Sequence, residues 1–120
     1  YVLTGKTITQ HDAETRAVPP RYDAAKIALD FAVRQNLYDR IDRRVLKMMD
    51  DGLVDEVRSL SGFRDLPALR TVGYREIFDC LDGNIPLDEA IRLIQRNTRH
   101  YAKKQLTWWK RDPAVRWVEL

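Results

Sequence analysis

The segment Arg92–Arg111 carries seven Lys or Arg residues and no acidic one. At about 100° per residue on a helix, Arg92, Arg96, Arg99, Lys103 and Lys110 fall within roughly 60° of one another. Ile94, Tyr101 and Trp108 fall on the opposite side, with Ala90 behind them. The pattern predicts one helix with an apolar stripe that packs on a core and a basic stripe that cannot. Pro86 with Asp88 and Glu89 starts that helix, the acids lying at its positive end, and Asp112-Pro113 stops it. A one-sided row of cations without acidic partners is a surface that tracks phosphates. The apolar stripe is expected to pack against a sheet that includes the closing strand.

The chain has 120 residues, enough for one compact domain but not clearly for two. Its net charge is +3, and Arg92–Arg111 alone contributes +7, so the rest is net negative. That imbalance favours a local anionic site over a generally sticky surface. No apolar run approaches the 18 or so residues needed to span a bilayer, and no signal peptide is visible. The chain opens on Tyr1-Val-Leu-Thr without a Met and reads as a piece of a longer protein. Cys80 is the only cysteine, which excludes an internal disulfide and fits a reducing cytoplasm.

Residues 1–22 read as a loop-like entry segment, because Gly5, a Thr-rich run and Pro19-Pro20 oppose a long helix. Gly5-Lys6-Thr7 looks like the tail of a phosphate-binding loop but lacks the required earlier Gly and following helix. Lys26–Val33 alternates apolar and other residues as a strand does, with a short helix as the alternative. Asn36 then offers a helix N-cap, and Asp51-Gly52 a helix end. Leu53–Leu60 makes a second short helix closed by Ser61-Gly62, and Phe63–Ala68 a loop. Leu69–Leu81 carries a partial helical face, and Val115–Leu120 a closing strand. Two strands and four helices result. Two short strands do not make a stable sheet alone, so they are expected to belong to a sheet completed elsewhere.

No Cys/His cluster has metal-ligand spacing, and no nucleophile elbow or catalytic triad is present. What remains is cationic. Arg70 and Arg75 flank Thr71-Val72-Gly73-Tyr74. A Gly at a helix start costs about 1 kcal/mol relative to Ala, and makes sense where something approaches the backbone closely. Arg suits a bidentate grip on phosphate. Two solvated arginines at a loop-to-helix junction would read the same way. In the long helix, Lys103, Lys104, Gln105 and Thr107 offer donors beside Tyr101, Trp108 and Trp109, a combination suited to nucleic acid. The helical projection sends Tyr101 and Trp108 to the core and leaves Trp109 open.

Arg70-Thr-Val-Gly-Tyr-Arg75 and Thr98-Arg-His-Tyr-Ala-Lys-Lys-Gln-Leu-Thr-Trp108 resemble the C-terminal signatures of the tRNA dimethylallyltransferases (tRNA isopentenyltransferases). Tyr1-Val-Leu-Thr-Gly-Lys-Thr-Ile-Thr9, Leu37-Tyr-Asp-Arg-Ile-Asp-Arg-Arg-Val45, Gly52-Leu-Val-Asp-Glu-Val57 and Val115-Arg-Trp-Val118 are similar too. The resemblance implies an α/β fold of the P-loop type with a parallel sheet flanked by helices, here a mostly helical C-terminal portion, residues 1–120, of a catalytic domain whose sheet is completed by other residues. It implies transfer of a dimethylallyl group from its diphosphate to N6 of the adenosine next to the anticodon, with Mg²⁺ as helper. The target base would be flipped into a channel. By motif, Arg70 and Arg75 would serve catalysis, and Arg70, Thr71, Val72, Gly73, Tyr74 and Arg75 would lie at the channel. Arg99 would point into the same region as the tRNA-contacting segment of Lys103, Lys104, Gln105, Leu106, Thr107, Trp108, Trp109 and Lys110. The expected partners are the tRNA anticodon stem-loop and dimethylallyl diphosphate, in the cytoplasm and away from membranes. The family's phosphate-binding loop and general-base Asp have no counterpart in these residues, so the chain alone is expected to be inactive and the Mg²⁺ ligands to lie elsewhere. The rival readings are a non-enzymatic helical RNA-binding module and a helical domain that meets an acidic protein.

Overall fold

A computed structural model describes residues 5–19 and 21–120. Its core is built by helices. Helix α2 (Arg34–Asp50), α3 (Leu53–Ser59), α4 (Tyr74–Leu81) and α5 (Leu87–Trp109) bring Val45, Leu53, Val57, Ile77, Phe78, Ala90 and Ile94 into one buried cluster. Each of the larger of these side chains contributes about 1.5–3 kcal/mol by leaving water. Helix α5 packs on both α2 and α4.

The turns between the helices follow from the residues that close them. Gly52, at φ +100°, ends α2 and opens α3 in the left-handed region. Gly73, at φ +99°, is the N-cap of α4. Pro86 is the N-cap of α5, with Asp88 and Glu89 in its first turn. Asn36 does not cap α2: the cap is Val33, whose carbonyl accepts the Asn36 N–H at 3.0 Å, so backbone geometry supplies what a side chain was expected to supply. The stretch expected as a loop before α4 contains two short 3₁₀ turns, Ser61–Phe63 and Pro67–Leu69.

The entry segment is not all loop. Residues Ile8–Ala17 form helix α1, ten residues long. Thr7 accepts the Gln10 N–H at 3.2 Å, while the Gln10 side chain accepts the Thr7 N–H at 2.8 Å. This reciprocal capping box outweighs the nearby prolines, because Pro19 falls beyond the helix end rather than inside it. A helix therefore does follow Gly5-Lys6-Thr7, contrary to expectation, and Thr7 is its N-cap. Tyr1–Thr4 and Pro20, with the parts of the motifs that fall on them, lie outside the described residues.

Strand β1 (Lys26–Asp30) pairs in parallel with β2 (Val115–Glu119), Lys26 opposite Val115 and Asp30 opposite Glu119. The strand expected to reach Val33 stops at Asp30, whose carboxylate turns back to accept the Phe31 N–H at 2.8 Å. One face carries Ala28 and Trp117, both half-buried, and the other carries Ile27, Leu29 and Val118, all exposed. The α/β class and the parallel pairing agree with the sequence reading. The helix tally does not: α1 is the addition.

Candidate nucleic-acid interface

Helix α5 divides into two halves with different surroundings. Ala90 and Ile94 are fully buried, as their side of the helix predicts. Tyr101 is 59% exposed and Trp108 64%, so neither is a core residue. The reason is length. Helix α4 has eight residues and spans about 12 Å, whereas α5 has 23 and spans about 35 Å. A helix of α4's length cannot cover a stripe that runs from Ala90 to Trp108. The stripe is therefore seated among helices at Ala90 and Ile94, not on the sheet.

The basic stripe is also different from its expected form. Arg92 pairs with Glu89 at 2.6 Å, Arg99 with Asp42 at 2.6 Å, and Lys110 lies 3.8 Å from Asp30. Lys110 additionally sits 5.7 Å from the Trp117 ring. The acidic partners come from outside the segment: one turn earlier, from α2, and from β1. Side-chain hydrogen bonds to Arg92 hold the Glu89 carboxyl below its ordinary range.

Lys103 and Lys104 have no ion pair among the described residues. They line a groove of about 430 Å³ with His100, Thr107, Trp108 and Arg111. The Arg111 guanidinium lies 5.6 Å from the Trp108 ring, which leaves that exposed ring beside three cations. His100 and Arg111 were not anticipated. The position of Arg111 three residues after Trp108 was the available signal.

On another side of α5, Gln105, Leu106 and Trp109 line a cleft of about 560 Å³ against the end of β1 and α2. A neighbouring cleft of about 300 Å³ shares Ile41, Arg44, Thr98 and Tyr101 with it and adds Thr71 and Val72. The two clefts are neighbours, one reaching the strand ends and the other the residues just before Gly73. Arg44, read from the sequence as part of a solvated helix face, stands where they meet.

The turn itself is ordered from within. Val72 packs on the core, and Gly73 is buried. Tyr74 turns toward α3 and donates its hydroxyl to the Glu56 carboxylate, which pushes the phenol up from its ordinary value. Its hydroxyl is thus committed to the protein. Thr71 is exposed and reaches the cleft. Arg70 and Arg75 are exposed, with no ion pair among the described residues.

The sequence reading passed over Glu76 and Asn97. Glu76 is only 4% exposed. Its Oε2 accepts the Gly73 N–H at 2.7 Å, and its Oε1 accepts from Asn97 Nδ2 on α5, also at 2.7 Å. Glu three residues after the cap was a readable capping pattern. Nothing in the sequence pointed to Asn97, which meets it only through packing.

No three His, Cys, Asp or Glu side chains converge as a metal site among the described residues. The described residues thus offer no ready-made carboxylate cage for the implied Mg²⁺. No helix among them is long and apolar enough to cross a membrane.

Helices docked beside a parallel strand pair, with two lysines unpaired among the described residues beside an exposed indole, define an α/β protein with an exposed basic helix. The chain belongs to the IPP transferase family, whose model matches residues 1–112. It is 43% identical to a tRNA dimethylallyltransferase of Halalkalibacterium halodurans over 98% of its length. It is 48% identical to tRNA dimethylallyltransferase 1 of Bacteroides thetaiotaomicron over 96% of its length. The chain spans 38% and 37% of those two relatives. A solved tRNA isopentenylpyrophosphate transferase from Bacillus halodurans superposes with a TM-score of 0.79 at 40% identity, covering 92% of this chain and 37% of that one. The corresponding enzyme from Staphylococcus epidermidis gives 0.79 at 32% identity, covering 99% and 39%.

Proposed function

We propose that this chain is the C-terminal portion of the catalytic domain of a tRNA dimethylallyltransferase with a P-loop-type parallel-sheet architecture. The substrates are dimethylallyl diphosphate and the anticodon stem-loop of tRNA, which sets the reaction in the cytoplasm. The N6 amine of the adenosine next to the anticodon bonds to the allylic carbon. The carbon–oxygen bond breaks, diphosphate leaves with its electron pair, and the amine proton passes to a general base outside these residues. Any Mg²⁺ ligands likewise lie outside them.

The observation that carries this reading is the joining of two exposed basic elements. The Arg70–Arg75 turn and the Lys103–Lys110 half of α5 are linked through Glu76 and Asn97. One arginine of the turn offsets the leaving group's charge or holds the anticodon-loop backbone. Lys103, Lys104 and Thr107 meet RNA phosphates, and Trp108 offers a face to a base. Gln105, Leu106 and Trp109 line the cleft behind them. Lys110 and Arg99, both engaged with carboxylates, act chiefly by shaping this surface.

The test is transfer by the full-length protein to unmodified tRNA, followed by nucleoside mass analysis. Arg75→Ala is expected to lower kcat/KM by about 10²-fold. Unchanged turnover and unchanged affinity for both substrates would remove Arg75 from the site. The 120 residues alone are expected to transfer nothing.

A further inference from the structure

We propose that Glu76 is a positioning residue, whose buried carboxylate fixes the Arg70–Arg75 turn in register with the RNA-facing half of α5. The proposal rests on the functional reading above for its RNA arm, and on geometry alone for its structural arm. The residue is 4% exposed, and its carboxylate commits one oxygen to each side. Oε2 takes the Gly73 N–H, and Oε1 takes Asn97 Nδ2, each at 2.7 Å. The far end of the Asn97 amide accepts from Arg96 Nε and Nη2 at 3.3 Å, so the amide has one orientation: nitrogen toward Glu76, oxygen toward Arg96.

The consequence is directional. Gly73, at φ +99°, has no side chain of its own to hold the turn, and the Gly73 amide is held by a group that also grips α5. Arg75 lies on the first turn of α4, two residues from Gly73, while Arg99 lies two residues beyond Asn97. A rigid link between Gly73 and Asn97 therefore sets the distance between the two basic elements. A buried carboxylate is also costly unless every oxygen is satisfied, so a half-made link is disfavoured.

The chemistry permits a swap. Glu76→Gln leaves an acceptor for Gly73 but turns an amide nitrogen toward Asn97 Nδ2, donor against donor. Asn97→Asp places two carboxylates together. When the two substitutions are combined, the new amide at position 76 donates to the new carboxylate at position 97. The hydrogen bond is restored with its polarity reversed, and the second oxygen of that carboxylate still faces Arg96. Charge is conserved. Asn97→Ala, at a half-buried site, leaves the cap of α4 intact and frees it from α5; it guards against a folding failure of the other single variants.

In the full-length protein, hydrogen exchange of the 70–76 segment, KM for tRNA and KM for dimethylallyl diphosphate are measured together. Glu76→Gln and Asn97→Ala are expected to speed exchange of that segment and raise the tRNA KM about tenfold, the effect of one buried polar contact. The KM for dimethylallyl diphosphate should move less than the tRNA KM. The double variant Glu76→Gln with Asn97→Asp should recover both exchange protection and tRNA affinity. Faster exchange with an unchanged tRNA KM would overturn the positioning role, and so would a double variant no better than its parents. Unchanged exchange in Asn97→Ala would overturn the link itself. A wild-type enzyme that ignores tRNA would sink the functional reading, while the exchange measurement would still decide whether the link exists.

Discussion

Arg99 on α5 donates to Asp42 on α2 at 2.6 Å, so the cation nearest the middle of the basic helix is turned into a fastening between two helices. Gln95 reinforces it by donating to the Asp42 carbonyl at 3.2 Å. Both charged partners are partly exposed, at 28% and 36%, and screening limits their coupling. A double-mutant cycle with Arg99→Ala and Asp42→Ala is expected to give under about 1 kcal/mol by denaturant unfolding. A much larger coupling would mean the pair is more desolvated than its exposure indicates.

The salt dependence of RNA binding should separate engaged from free cations. Lys103→Ala with Lys104→Ala is expected to weaken binding by the full-length protein and reduce the log–log salt slope by about 1.5. Arg92→Ala, whose side chain is held by Glu89, should leave the slope nearly unchanged. Equal slopes for all variants would make the groove a solvated surface.

The two ends of the apolar stripe predict opposite outcomes. Ile94→Ala, at a site 1% exposed, is expected to cost about 2–5 kcal/mol of stability. Trp108→Ala should stay within about 0.5 kcal/mol, as exposed substitutions do. The same Trp108 variant should lose about 1–3 kcal/mol of RNA affinity if its ring stacks on a base. Thermal melts and RNA titrations read the two quantities separately, and unaltered RNA affinity would exclude stacking.

Gly73→Ala tests the turn. An added Cβ would meet nothing within 4 Å, so any cost comes from the backbone at φ +99° rather than from a clash. Left-handed geometry costs a non-glycine residue about 1–2 kcal/mol. That loss should appear in chemical denaturation, and a neutral substitution would show that the turn relaxes without penalty.

The junction between α5 and β2 carries a pH dependence. Lys26 Nζ donates to Asp112 at 2.6 Å, and this bond, aided by the Ala114 N–H, holds the Asp112 carboxyl below its ordinary value. A depressed carboxylate adds stability above its unfolded pKa, and that contribution disappears as pH falls through the lower folded value. Wild-type protein should therefore lose more stability than Asp112→Asn as pH drops below about 4. Parallel acid profiles for the two would contradict the assignment.

Local signals carried much of this structure into the sequence. The Gly52 and Gly73 turns, the acidic start of α5 and the Asp112-Pro113 stop all depend on neighbours within a few positions. Relations across elements were hidden. Asp42 and Asp30 neutralise cations that look unpaired within their own segment, and Tyr101 and Trp108 look internal on a helix whose neighbour is too short to cover them. Helix α1 was hidden differently. Its Thr7–Gln10 capping box was present in the residues, but the composition around it favoured a loop. The turn motif was visible from Arg70 to Arg75, whereas its anchoring through Asn97 depends on a contact 21 residues away.

The parallel pairing of β1 with β2 has a kinetic consequence. Lys26 and Asp112, which close the pair at one end, are 86 residues apart, and no hairpin can bring parallel neighbours together by zipping from a turn. Closing so long a loop is entropically unfavourable until the intervening helices have condensed. Changes in the helical core, such as Val57→Ala, should therefore slow folding, whereas Val118→Ala should chiefly hasten unfolding. Stopped-flow folding of the full-length protein would show it, and a folding rate more sensitive to Val118 than to Val57 would reverse the order. The strands join what the helices have already brought close.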